Sequence, residues 1–251
     1  MYQRINGSDW RNIWLMGDLH GCFALLMGRL RQLRFDPWAD LLISVGDLID
    51  RGPQSADCLG LLRCRWFRAV RGNHEQMALE ALENGDMALW QMNGGDWYGR
   101  GTAQQRAEAD RLLARCQRLP LIIEVGCADA RHVIAHADYP APVYRWQQPV
   151  DPQRVLWSRH RLSEHLAGRH GAIAGADHFW FGHTPLRTPY ERDNQHYIDT
   201  GAVFGRNADA GGATIGRLKI AVFAGGLPEA INKIFYRIAA AVADPLILHR
   251  H

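Results

Sequence analysis

Short apolar runs that end near glycine alternate with helix-like stretches through the first third of the chain. These runs predict three buried strands, at 12–16, 41–45 and 66–70. Leucines at helical spacing predict a first helix over 23–33, Pro53 suits the first turn of a second, and 74–82 predicts a third. Strands that alternate with helices in this way are typical of an α/β fold.

The pattern becomes less regular in the middle of the chain, where a glycine- and aromatic-rich stretch at 94–98 precedes further predicted elements. These are a helix over 104–116, a strand pair at 121–125 and 132–135, a proline-containing loop over 138–151, and short strands at 179–181 and 196–198. No repeat or low-complexity linker divides this part of the chain. It is therefore expected to form one domain, with 1–205 as its body.

The residues after 205 differ in character from the body. A glycine- and alanine-rich stretch at 206–216 precedes an apolar run at 218–223, which predicts a last strand. Apolar residues then recur on one helical face over 228–243. Residues 206–251 are thus expected to supply a last strand and an additional tail, which is either a helix docked on the body or an aberrant end.

Composition and charge narrow the class of protein. A formal charge of +3 is too small to indicate a nucleic-acid or membrane-surface partner. No apolar run approaches the roughly 18 residues that a membrane span needs, and residues 1–12 lack a signal-peptide pattern. The five cysteines form no C-x-x-C pair, which favours reduced thiols and a cytoplasmic location. The sequence does not predict an oligomeric state.

Chemically distinctive residues stand at the ends of the predicted strands. Three glycine-bounded strings follow the first three strands: GDLHG at 17–21, GDLIDRG at 46–52 and RGNHE at 71–75. Single histidines, His136 and His183, follow two later strands. Because ligands gather outside the carboxyl ends of strands in open α/β sheets, these side chains are expected to meet at one edge.

The donor types in these turns suit divalent metal ions. Asp18 and His20 stand two residues apart and can face one cation, whereas the carboxylate of Asp47 can bridge two. The other candidate ligands are Asn73, His136 and His183. Carboxylate, amide and imidazole donors without thiolate favour Mn, Fe or Zn over Cu(I). Two such ions can activate a water and hold both oxygens of a displacement at phosphorus, so the pattern indicates phosphoester hydrolysis.

Further residues suit the rest of such a reaction. Arg51 and Arg159 can hold phosphate oxygens through bidentate guanidinium contacts. If Asn73 binds metal, His74 is free to protonate the leaving oxygen, with Asp50 orienting its ring. Asn73 also begins a predicted helix, so an ordinary capping role is the alternative for that residue.

These strings, with further matches at 134–138, 157–159, 181–185 and 197–205, resemble the phosphoprotein phosphatases of the metallophosphoesterase family. Within that family they are most similar to the bacterial and phage serine/threonine phosphatase group, over about residues 1–205. The resemblance implies the fold class α/β (α+β), a metallophosphoesterase-like central β-sandwich flanked by helices. It also implies phosphoprotein substrates, carrying phosphoserine, phosphothreonine and in some cases phosphotyrosine.

The same resemblance implies a role for each matching residue. Asp18, His20 and Asp47 would bind one metal, and Asp47, Asn73, His136 and His183 the other, with two divalent ions, most often Mn²⁺. His74 would act as the general acid supported by Asp50, and Arg51 and Arg159 would hold the phosphate, which a metal-bridging hydroxide attacks directly. Two alternatives remain open: a dinucleoside polyphosphate hydrolase of the same fold, and a phosphate-binding module without turnover.

Overall fold

The computed structural model describes residues 1–169, 171–207 and 220–225, with the side chains of 206 and 207 left aside. Within these residues, ten strands form two mixed sheets. The strands are β1 (Tyr2–Asn6), β2 (Asn12–Met16), β3 (Leu41–Ser44), β4 (Phe67–Ala69), β5 (Ile122–Gly126), β6 (Arg131–Ala135), β7 (His178–Phe181), β8 (Tyr190–Arg192), β9 (Gln195–Tyr197) and β10 (Ile220–Ala224). One sheet has the order β1-β5-β6-β7-β9-β8 and the other β10-β2-β3-β4.

Helices cover the outer faces of both sheets. In chain order they are α1 (Phe23–Gln32), α2 (Ser55–Gly60), α3 (Asn73–Asn84), α4 (Ala88–Trp90), α5 (Trp97–Arg100), α6 (Ala103–Cys116), α7 (Pro152–Trp157) and α8 (His160–Leu166). A π-helical turn, Gln91–Gly95, joins α4 to α5. Short 3₁₀ turns occupy Gly7–Asp9, Leu61–Arg63 and Ala202–Asn207.

The two sheets pack face to face around a layer of aliphatic side chains. Leu15 and Ile43 from one sheet meet Ile123 and Ile134 from the other, and all four are 0% exposed. Separate apolar clusters lie between each sheet and its covering helices. The expected α/β class, with a central β-sandwich flanked by helices, is therefore confirmed.

Parallel pairing brings the sequence motifs to one edge of the sandwich. β2, β3 and β4 run parallel in one sheet, and β6 and β7 run parallel in the other. The turns after β2, β3 and β4 carry the three glycine-bounded strings, and those after β6 and β7 carry His136 and His183. The fold thus gathers the predicted side chains at the carboxyl ends of five strands.

Several elements differ from the sequence prediction. β1 was not predicted because only Ile5 of its five residues is buried, and the strand depends on parallel pairing with β5. The second helix begins at Ser55, two residues after Pro53. Two helices, α7 and α8, lie between the predicted loop and β7, where no helix was predicted. Both are short, and such helices depend on tertiary packing more than on local propensity.

The apolar run at 218–223 contributes a strand, as predicted. β10 pairs antiparallel with β2, with Ala221 opposite Leu15. The helix predicted over 228–243 lies outside the described residues. The division into a body of 1–205 and a tail stays a proposal. None of the helices in the described ranges combines the length and apolar character that a bilayer crossing requires.

The inter-sheet layer predicts a strong asymmetry between two neighbouring strands. Leu15→Ala should lower the free energy of unfolding by about 2–5 kcal/mol, because it leaves a cavity in a fully buried layer. Val222→Ala on β10, where the side chain is 50% exposed, should cost less than about 1 kcal/mol. Urea unfolding of both variants measures the difference. Equal losses would show that this layer is not the main stabilising core.

Candidate active site

Strained turns hold the predicted residues at the sheet edge. Left-handed backbone conformations occur at His20 (φ 45°), Asp47 (φ 51°), Asp50 (φ 74°), Arg51 (φ 68°) and His183 (φ 67°). Each of these non-glycine residues pays a conformational cost that the surrounding packing must offset. Such strain concentrates at functional sites, where side-chain direction takes priority over backbone preference.

Asp47 lies at the centre of the site, and its two carboxylate oxygens face different neighbours. Oδ2 is 3.6 Å from Nε2 of His20 and 3.9 Å from Nε2 of His74. Oδ1 is 3.4 Å from Nε2 of His136. Two clusters of potential ligand atoms therefore share Asp47: one with His20 and His74, the other with His136 and His183. Asp47 thus lies between the two clusters, at the place where the sequence predicts a bridging carboxylate.

A buried glutamate holds the Asp47 turn in place. Glu75 accepts N–H groups from Asp47 (3.0 Å), Leu48 (2.8 Å) and Gly72 (2.9 Å). Burial and the neighbouring Asp47 raise the pKa of Glu75 to about 7, against the opposing effect of these N–H donors. Gly72 is required for close approach, because a Cβ there would lie 2.1 Å from Oδ1 of Asp47. Sequence analysis assigned no role to Glu75, although it belongs to the RGNHE string.

His20 presents an unprotonated nitrogen to the first cluster. Its Nδ1 donates to the carbonyl of Ile49 at 2.9 Å, which leaves the lone pair on Nε2. Burial lowers the pKa of His20 to about 3, so the ring is neutral. Arg51 Nη1 lies 2.7 Å from this Nε2 and donates to it. His20 is therefore in the protonation state that a metal ligand needs.

In the second cluster, acceptor atoms face one another. Nδ1 of His136 donates to the carbonyl of Val45 (2.7 Å), so its Nε2 carries a lone pair. That nitrogen lies 2.8 Å from Oδ1 of Asn73, and Nδ1 of His183 lies 2.9 Å from the same oxygen. Burial lowers the pKa of both histidines, to about 3 for His183, so both rings are neutral, and Nε2 of His136 faces Oδ1 of Asn73 as one acceptor against another. A cation would satisfy all of them, so the donor set fits a divalent metal.

Asp18 is oriented differently from the other predicted ligands. Its carboxylate accepts the backbone N–H of His183 at 3.1 and 3.2 Å, and a Cβ on Gly182 would lie 2.1 Å from Oδ1. Burial, with repulsion from Asp199 and Asp47, raises the pKa of Asp18 well above its usual range. Asp199 also accepts the N–H of Gly201 at 2.8 Å, which supports the turn that follows β9. The adjacent carboxyl of Asp199 was not predicted as part of the site.

His74 and Asp50 form a buried pair beside Asp47. Nδ1 of His74 lies 2.7 Å from Oδ2 of Asp50, and the Asp50 side chain is 0% exposed. Burial by itself would lower the pKa of His74, but the charges of Asp47 and Asp50 outweigh it and the pKa is raised. The predicted Asp–His arrangement is thus present. The carboxylate also accepts from two tryptophans, Trp90 and Trp97, which the sequence analysis did not include.

The two predicted arginines lie at the exposed side of the site. Arg51 follows Asp50 directly, and its guanidinium is directed to the His20 ring. Arg159 is exposed at the start of α8, and its charge contributes to the lowered pKa of both His136 and His183. Both cations are therefore near the ligand clusters. All ten residues singled out from the sequence converge on this edge.

Comparison with known proteins agrees with this geometry. The sequence profile of the calcineurin-like phosphoesterase family matches residues 11–197. The chain is 61% identical to Serine/threonine-protein phosphatase 1 of Salmonella typhimurium, over 82% of this chain and 93% of the relative. It is 47% identical to Serine/threonine-protein phosphatase 2 of Escherichia coli, over 80% and 92%. A symmetrical bis(5'-nucleosyl)-tetraphosphatase of Methylococcus capsulatus is 35% identical, over 51% and 43%.

Solved structures share the fold. A crystal structure described provisionally as a diadenosine tetraphosphatase has a TM-score of 0.64 and 25% identity, covering 90% of this chain and 94% of that one. A serine/threonine phosphatase from Saccharomyces cerevisiae, 15% identical, has a TM-score of 0.57 over 89% and 83%. Family profile, close relatives and fold therefore agree that the chain belongs to the calcineurin-like phosphoesterase family and is a phosphoesterase enzyme.

Proposed function

We propose that this protein is a metal-dependent phosphatase that hydrolyses phosphoserine and phosphothreonine in proteins. The observation that carries the proposal is the convergence of His136, His183 and Asn73 beside the shared carboxylate of Asp47, with a lone pair of His136 facing the amide oxygen of Asn73. A cation among such buried acceptors would replace facing lone pairs with attraction. The close relatives named as serine/threonine-protein phosphatases support the substrate class.

The proposed ligands divide into two groups that share Asp47. Asp18 and His20 would complete one ion's protein ligands, and Asn73, His136 and His183 the other's. Two divalent cations, Mn²⁺ by preference, would supply Lewis acidity towards phosphoryl oxygens and lower the pKa of an attacking water. Binding at His20 requires Arg51 to leave Nε2, because one lone pair cannot serve both.

The chain's own residues would then act on the substrate. Once withdrawn from His20, the Arg51 guanidinium is free to hold the phosphate together with Arg159. His74, oriented through Nδ1 by Asp50, would deliver a proton from Nε2 to the leaving seryl or threonyl oxygen. We propose attack by water directly on phosphorus, because the two proposed ions would lower the pKa of that water and the reaction would then need no phosphorylated side chain.

The state of the thiols bears on the location of the protein, and the similar proteins bear on its partners. All five cysteines are free thiols, which is consistent with a reducing compartment, and we propose the cytoplasm. The proposed partners are phosphoprotein substrates. The relatives named as bis(5'-nucleosyl)-tetraphosphatases are similar over 51% and 30% of this chain, so that activity is the second candidate.

Manganese binding tests the ligand assignment without an activity assay. Isothermal titration of metal-free protein with manganese should show two sites. His136→Asn should lower the affinity of one of them at least about tenfold, or abolish binding there. His132→Asn is the matched control, since His132 is also buried and lies on β6, four residues before His136, but away from the ligand clusters. Equal effects of the two substitutions would contradict the assignment.

Catalysis tests the roles of Asp47 and His74. Hydrolysis of a phosphoserine peptide should require added manganese. We expect His74→Asn to lower kcat by on the order of 10²-fold with KM nearly unchanged, because a general acid acts mainly in the transition state. Asp47→Asn should abolish turnover and lower manganese affinity. His178→Asn, outside the site, should keep its activity. Full activity of His74→Asn would contradict the acid role.

Competition separates the two substrate classes. With manganese present, the enzyme should hydrolyse a phosphothreonine peptide at least tenfold more efficiently than diadenosine tetraphosphate, measured as kcat/KM in one mixture. Faster cleavage of the dinucleotide would replace the proposed function with its alternative. No turnover of either substrate, by folded protein with two manganese ions bound, would favour a binding module.

A further inference from the structure

Asp50 is held by more donors than its partnership with His74 requires. Its carboxylate accepts Nε1–H of Trp90 at 3.0 Å from both oxygens, and Nε1–H of Trp97 at 2.7 Å. The Asp50 backbone N–H, in turn, donates to Oγ of Ser55 at 2.9 Å. Ring packing alone would not require both indole N–H groups to meet one buried carboxylate.

The two tryptophans belong to one segment, Ala88–Arg100, which we name the tryptophan segment. Their rings meet edge to face at 6.1 Å, and Tyr98 packs against both. Gly95 is pressed on the Trp90 ring, where a Cβ would lie 2.4 Å away. The carbonyl of Gly94, a residue in left-handed conformation, accepts the N–H of Arg51. The segment is thus attached to two consecutive residues of the site, Asp50 and Arg51.

Indole N–H groups are suited to this position because they donate and never accept. They stabilise the ionised form of Asp50 as an acceptor, which favours the proton between Asp50 and His74 on Nδ1 of His74. They also fix the carboxylate plane, because three N–H groups occupy most of its lone-pair positions. A histidine held through Nδ1 presents Nε2 in one fixed direction, here towards Asp47 at 3.9 Å.

We propose that Trp90 and Trp97 are positioning residues for proton donation: their N–H groups fix Asp50, and through it the direction of Nε2 of His74. The inference rests on the proposed function, in which His74 protonates the leaving oxygen. It extends that function to a segment that touches neither metal ligands nor phosphate. Small displacements of a proton donor lower rates strongly, so the two indoles should matter although they lie outside the reacting groups.

The leaving group gives the sharpest test. Trp97→Phe keeps an aromatic ring and removes the N–H, and Trp97 is half-buried, so the variant should fold. We expect kcat for phenyl phosphate, whose leaving group needs a proton, to fall about tenfold. For 2,4-dinitrophenyl phosphate, whose leaving group needs none, kcat should fall less than about twofold. Tyr98→Phe is the control, because its hydroxyl bonds to Asp110 and should leave both rates unchanged.

A double-mutant cycle shows whether Trp97 acts through Asp50. In an Asp50→Asn background, Trp97→Phe should have almost no further effect on kcat for 4-nitrophenyl phosphate, since the group it positions is already lost. Additive losses would overturn the inference, as would equal losses for the two aryl phosphates or no loss at all. Trp90→Phe, at a fully buried position, provides a second variant with the same expected pattern.

The outcomes separate this inference from the proposed function. If wild-type protein with manganese hydrolyses none of these esters, the function and the inference fail together. If His74→Asn loses activity equally on both aryl phosphates, the acid role fails and takes the inference with it. If His74→Asn shows the selective loss and Trp97→Phe does not, the inference alone is overturned.

Discussion

The carboxylate of Glu75 joins the turn after β3 to the first turn of α3, and the site depends on this connection. By accepting the N–H groups of Asp47, Leu48 and Gly72, it fixes the bridging carboxylate beside the helix that carries Asn73 and His74. The geometry leaves no space for a side chain at position 72. Because the group is buried, its removal would leave three N–H donors without partners in the protein interior. Glu75 therefore positions the candidate ligands of both clusters, although it belongs to neither cluster.

Burial sets the electrostatic character of the whole centre. Neutral imidazoles and closely spaced carboxyl groups lie almost without solvent, where like charges and facing lone pairs are costly. Asp18 and Asp199 illustrate this directly, because burial, with the negative charge of Asp47, raises the pKa of both, that of Asp199 to about 6. Cations would replace this repulsion with attraction. The fold thus holds these groups in an arrangement that is electrostatically unfavourable without a cation. The left-handed backbone at five site residues adds conformational strain that the rest of the fold must also offset.

The sequence identified the centre well because its ligands are clustered in short strings with fixed spacing. Because the strands before these strings run parallel, the strings lie at one edge of the sandwich. Asp47 and His136 therefore come into contact although they are far apart in the chain. Glu75 was overlooked because a glutamate at the start of a helix has a common capping role. Trp90 and Trp97 carry no local pattern, since their partner Asp50 lies some forty residues earlier. β1 was missed for a related reason: its strand character comes from the neighbouring β5 rather than from alternation within its own five residues.

The pairing of β10 with β2 has a consequence for the order of events during biosynthesis. β2 leads directly into the Asp18–His20 turn, yet its outer neighbour is a strand made about two hundred residues later. Until that segment leaves the ribosome, β2 remains an unpaired sheet edge with open hydrogen-bonding groups. Nascent chains with such edges associate readily with one another and with chaperones. The time needed to translate the glycine- and alanine-rich stretch before β10 would therefore prolong the period in which the edge of β2 can associate with other chains.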